Sequence, residues 1–157
     1  MTRIYSSIQI PLPQEIVFNY VTTPGNWPQW HPSSLSVRGA TDHSLEVGEQ
    51  VTEEFLVAGR RGQTTWTVVE RVFPQKWAIN ANFAGGRGHG KVTYTSTPKD
   101  NGTIFEREFT YQMGSLRGTI IDWLVLRQRV DKESKQAVQQ LKQALLKQQK
   151  IVTSETP

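Results

Sequence analysis

The hydrophobic residues of this chain change their spacing once, and that change constrains the fold more than any single motif. Up to Tyr111 the apolar residues alternate with polar ones in short runs. From about Ser115 to Gln149, Leu116, Ile120, Trp123, Val130, Val138, Leu141 and Leu145 recur at helical spacing, with Ala137 and Ala144 beside them. A period of two belongs to a strand with one covered face, and a period of about 3.6 to a helix with one covered stripe. The chain is therefore expected to build a sheet first and to lay one long helix on it.

The remaining elements follow from local signals. Arg3 to Ile10 reads as a strand, with Ile4, Ile8 and Ile10 in one alternating set. Pro13 suits the opening of a helix, where a missing N–H is not needed. Ile16, Val17, Tyr20 and Val21 share a face of that helix, and Pro24-Gly25 ends it. The corner Trp27-Pro28-Gln29-Trp30-His31-Pro32 has room for one short helical turn. Further strands are expected at 35–40, 50–58, 64–73, 76–83, 90–97 and 103–112. They are broken at Gly59 to Gly62, Pro74-Gln75, Gly85 to Gly90 and Asp100 to Gly102. Asn101-Gly102 is a strong signal for a two-residue type I′ hairpin, and short connections favour an antiparallel meander. No internal repeat or linker interrupts the pattern.

At 157 residues one domain is expected, over residues 1–150, with 151–157 as a disordered tail. The first ten residues lack the basic start and apolar run of a signal peptide, and no stretch approaches the roughly 20 apolar residues of a membrane span. The absence of cysteine excludes disulfides and thiolate chemistry and agrees with a cytoplasmic location. Residues 116–150 hold eight Lys/Arg against three Asp/Glu, whereas the rest holds ten against eleven. The basic character thus belongs to the closing helix. A solvated helix face accounts for it, and no specific nucleic-acid partner is implied.

Two apparent motifs are set aside. Gly85-Gly86-Arg87-Gly88-His89-Gly90-Lys91 has most of a phosphate-loop spacing. It lacks the following Ser or Thr, because residue 92 is Val, and a strand rather than a helix is expected next. His31, His43 and His89 show no paired spacing suited to chelation, so no metal site and no cofactor are expected. His31 stands out because Trp27, Trp30 and Pro32 surround it.

The sharper signal is charge on faces that should be apolar. Alternation groups Phe105, Arg107, Phe109 and Tyr111, and separately Val51, Glu53, Phe55 and Val57; Arg127 and Ser134 fall in the helical stripe. A charge in a dry core is costly, so such residues must pair, reach water or face a polar cavity. Arg107 and Glu53 are expected to pair. Aromatic residues that fit the same interior are Trp30, Trp66, Trp77, Phe83, Tyr94, Phe105, Phe109, Tyr111 and Trp123, with Phe55. Most serve an ordinary core, but an aromatic interior with few convergent polar groups is also the usual form of a small-molecule site.

Three stretches, Ile10 to Phe18, Trp27 to Pro32 and Trp66 to Pro74, together with Asn101 to Phe109 leading into the closing helix, resemble the START/Bet v 1-like superfamily (SRPBCC). Within it the similarity is to the polyketide cyclase/dehydrase branch, over roughly residues 3–150. The resemblance implies an α+β helix-grip fold: a curved antiparallel sheet around the long C-terminal helix, with two short helices after the first strand. It also implies a hydrophobic cavity. The expected function is binding of a hydrophobic or aromatic small molecule, such as a lipid, isoprenoid or polyketide-like compound. An enzyme of cyclase, dehydratase or hydrolase type is the alternative, with Arg107 polarising an oxygen and Glu53 or His31 moving a proton. A partner or membrane-surface module is a third. A monomer or homodimer is expected.

Overall fold

The computed structural model describes residues 1–83, 86–113 and 120–155. Strand β1 covers Thr2–Ile10 and is followed by helix α1 (Gln14–Val21), a 3₁₀ turn at Pro24–Asn26 and the short helix α2 (Trp27–Trp30). Six strands come next: β2 (Ser34–Gly39), β3 (Gln50–Val57), β4 (Arg60–Val72), β5 (Lys76–Phe83), β6 (Gly88–Lys99) and β7 (Gly102–Met113). Helix α3 spans Ile120–Glu155. The sheet runs β1-β7-β6-β5-β4-β3-β2, and each neighbouring pair is antiparallel. This is the helix-grip arrangement.

Alternation decides which face is covered. In β1, Thr2, Ile4, Ser6 and Ile10 are buried, while Arg3, Tyr5 and Ser7 are exposed. Each inward residue of β1 stands opposite an inward residue of β7: Ile4 opposite Phe109, Ser6 opposite Arg107 and Ile8 opposite Phe105. Helix α3 crosses this face through Ser134, Ala137, Val138, Leu141 and Leu145, all buried. Helix α1 packs on β6 and β7, and α2 fits between β2 and α3. Burial of Val17, Phe18 and Val21 from α1 and of Trp27 and Trp30 around α2 ties both short helices to the same core.

The turns differ from expectation in two places. Between β3 and β4 the break contains only Ala58 and Gly59, with φ of 52° and 76°. Two consecutive left-handed residues fit a type I′ turn. Arg60, Arg61 and Gly62 therefore belong to β4. Gly62 lies under Phe55, and a Cβ there would stand 2.6 Å from its ring. Between β6 and β7, Lys99 pairs with Gly102, so the two turn residues are Asp100 and Asn101. Only Asp100 of these has positive φ, at 52°. Gly102 is needed for another reason: a side chain there would collide with the Ile10 carbonyl and Pro11.

Two further corrections concern α3. Its stripe is not covered along its whole length: Arg127, which spacing places in it, is exposed, and full cover begins near Ser134. The helix also continues past Gln149 to Glu155, where a disordered tail was expected. No Gly or Pro interrupts residues 120–155, and Thr153 and Ser154 return their hydroxyls to the carbonyls of Gln149 and Ile151. The start of the expected helix, 115–119, lies outside the described residues.

Candidate functional site

The concave face is floored by aromatic rings. Trp77 and Tyr94 stack at 5.4 Å between centroids, Tyr94 meets Phe105 at 5.3 Å, and Trp30 reaches Tyr94 at 6.1 Å. Trp27 leans on Trp77 at 6.4 Å. The register explains this grouping. Trp77 pairs with Tyr94 across β5 and β6, and the row continues from Tyr94 to Arg107 across β6 and β7. Trp77 also donates its indole N–H to the Leu45 carbonyl at 3.1 Å. These rings are all buried, whereas the inward-facing Phe55 and Phe109 keep partial exposure. Phe109 packs against the core with one part of its ring left accessible.

Arg107 breaks the aromatic row and is only 6% exposed. Its guanidinium lies 5.8 Å from the Phe109 centroid, and one Nη donates to Ser134 Oγ at 3.0 Å. Ser134 in turn shares a hydrogen bond of 2.9 Å with Ser6. Two serines from opposite ends of the chain thus hold the one cation of this row. Burial pushes the Tyr94 phenol up to about 12, although the charge of Arg107 favours its ionised form.

The expected Arg107–Glu53 pair does not form. Among the described residues no ion pair joins them within 4 Å, and Glu53 instead accepts from the Trp66 indole N–H at 2.7 Å. The sheet order explains the separation: β6, β5 and β4 lie between their strands, and each strand spacing adds about 5 Å. Curvature brings the two charges into electrostatic range without contact. Burial raises the Glu53 carboxyl above its ordinary value, opposed by hydrogen bonding with Ser34 and Trp66 and by the charge of Arg107.

His31 caps α2 at the same end. Its Nδ1 accepts from the Ser33 backbone N–H at 3.3 Å, while its Nε2 is buried without a partner. Burial, reinforced by the Arg107 charge, holds the imidazole well below its usual range, so it is neutral near pH 7. Beside it, Ser33 donates to Glu133 of α3 at 2.5 Å and ties the α2 corner to the closing helix.

Of the other expected residues, Trp66 and Tyr111 are buried, with Tyr111 stacked on Phe109 at 5.1 Å. Arg127 is exposed, and its charge reaches the Tyr111 hydroxyl. The side chains of Phe83 and Trp123 lie outside the described residues. His43 and His89 are exposed and do not join the site; His43 bridges Asp42 and Glu49 on the surface at 2.8 Å each. The glycine-rich segment leads from Gly88 into β6, not into a helix.

Sequence reasoning missed Ser6 and Arg71. Ser6 lies in the alternating set of Ile4 and Ile8, so its inward position was readable there. Arg71 was not readable. A register shift between Val68 and Glu70 puts Arg71 opposite Trp77 and under the rings of Phe18 and Phe73, at 5.3 and 5.5 Å.

A seven-stranded antiparallel sheet gripping a long C-terminal helix, with short helices after the first strand, places the chain among helix-grip domains. The chain belongs to the polyketide cyclase / dehydrase and lipid transport family, whose profile matches residues 1–146. Solved structures agree in fold. Protein TTHA0849 from Thermus thermophilus is similar with a TM-score of 0.77 at 12% identity, covering 92% of this chain and 97% of that one. Protein MLL2253 from Mesorhizobium loti gives 0.68 at 20% identity over 94% and 98%. The Bet v 1-like protein Ara h 8.0201 gives 0.66 at 12% identity over 93% and 98%. No curated protein matches the chain. Among the described residues no helix is long and apolar enough to cross a membrane.

Proposed function

We propose that this protein binds one hydrophobic or aromatic small molecule between the concave face of its sheet and α3. The observation that carries this reading is the inward row Phe105, Arg107, Phe109 and Tyr111, an aromatic surface with one buried cation, part of which stays reachable. Apolar walls supply affinity through burial, and a few polar groups supply orientation. Membership of a family described by cyclase, dehydrase and lipid-transport roles supports a hydrophobic ligand.

Binding is favoured over catalysis by the disposition of the titratable groups. Glu53 is engaged by Trp66, and the Nδ1 of His31 is engaged by Ser33. Neither is hydrogen-bonded to the other or to Arg107 among the described residues, so no proton relay is assembled. The absence of cysteine fits a cytoplasmic carrier, and the reading includes a monomer or homodimer with no nucleic-acid partner.

Saturation of the neutral fluorophore N-phenylnaphthylamine tests the reading. The expected result is one site per chain, with affinity falling at least about tenfold in Phe109→Glu, because a carboxylate would be placed against the apolar ligand. A folded Phe109→Glu variant that binds as the parent does would contradict it.

A further inference from the structure

Three buried nitrogens at the Arg107 end of the concave face have no hydrogen-bond partner: Arg107 Nε, His31 Nε2 and Trp30 Nε1. All three are donors. Arginine Nε and indole Nε1 always carry hydrogen, and the His31 tautomer follows from its other nitrogen, since Nδ1 accepts from Ser33. The groups belong to one neighbourhood. The Trp30 and His31 rings lie 5.7 Å apart, Trp30 meets Tyr94 at 6.1 Å, and Tyr94 stands directly opposite Arg107 in the register.

Buried donors are rarely left unmade, and an unpartnered guanidinium N–H is the costliest of them. Two carboxylates of this region are already engaged, Glu53 with Trp66 and Glu133 with Ser33. The corner thus offers N–H groups and a positive charge beside an aromatic wall. A cationic head would be repelled there, and a hydroxyl would satisfy less of it than a group with two acceptor oxygens. We propose that this corner receives the carboxylate of an otherwise apolar ligand, making the protein a binder of hydrophobic acids.

This inference rests on the reading that the interior takes an apolar molecule, and the experiment separates the two. Dodecanoic acid and pyrenebutyric acid are each compared with their own methyl ester as competitors of N-phenylnaphthylamine near neutral pH. At least one acid should displace the probe about tenfold or more better than its ester, the difference expected of a charge-assisted hydrogen bond. In Arg107→Met that ratio should collapse towards one. In Trp30→Phe, which keeps a ring and loses one N–H, it should fall about threefold or more. Acids and esters that compete equally with the parent protein would overturn the inference while leaving apolar binding intact. A ratio that survives in folded Arg107→Met would also overturn it; should that variant not fold, survival of the ratio in Trp30→Phe does the same. Failure of the probe itself to bind would sink the underlying reading as well.

Discussion

Arg107 owes its inward position to strand parity, but its partners come from elsewhere in the chain. The alternation of Phe105, Arg107, Phe109 and Tyr111 was readable in the sequence. The identity of its partner was not, because Glu53 lies four strands away across the sheet while Ser134 approaches from α3. Ser134→Ala should cost about 1–3 kcal/mol in urea unfolding, since both Arg107 and Ser6 lose an acceptor or partner in a buried place. A loss near zero would show that Arg107 finds other support. For the same reason the coupling between Arg107→Met and Glu53→Gln in a double-mutant cycle should be small, below about 1 kcal/mol, instead of the roughly 3–5 kcal/mol of a broken buried pair. His31 carries a prediction of pH dependence. Its folded-state pKa is depressed, so the unfolded chain binds the proton first, and stability falls as pH drops below about 6.5 towards the folded value. The slope from this group is at most about 1.4 kcal/mol per pH unit. His43, raised by Asp42 and Glu49, acts in the opposite direction. The comparison to make is therefore the parent against His31→Gln, whose acid limb should be shallower. An unchanged limb would contradict a buried neutral His31.

At the scale of elements, periodicity identified each strand and the closing helix, and it failed where one position served two demands. Gly102 looked like the second residue of an Asn-Gly turn, yet it is the close approach of Ile10 that requires it, and the turn falls at Asp100-Asn101. Arg71 was hidden because a bulge reverses parity within β4, and no period reports a bulge. Arg127 sits in the stripe by spacing but beyond the stretch that the sheet covers, so it reaches solvent. The division within α3 has a direct consequence. Leu141→Ala should cost about 2–5 kcal/mol in thermal or denaturant unfolding, because Leu141 is fully buried against the sheet. Leu124→Ala should fall within about 0.5 kcal/mol of the parent. Similar losses at both positions would mean that α3 is covered along its whole length.

For the molecule as a whole, the order of periodic segments showed a sheet with one long helix laid on it, and the resemblance to START/Bet v 1-like proteins supplied the helix-grip arrangement. The site was legible only as a set of faces. Which inward residues are fully buried and which stay partly accessible depends on curvature and on the fit of α2, and neither leaves a mark in residue spacing. Trp30, Trp77 and Phe105 are completely buried, while Phe55 and Phe109, equally aromatic and equally inward, are not. The central claim is that an apolar ligand enters the concave side. The competing apolar surface is on the outside, where Val69 and Val72 are exposed. Titrating isotope-labelled protein with N-phenylnaphthylamine and following methyl and aromatic NMR signals distinguishes the two. Binding on the concave side predicts the largest shifts at Ile4, Val92 and Phe109; shifts concentrated at Val69 and Val72, with the inward signals still, would contradict it.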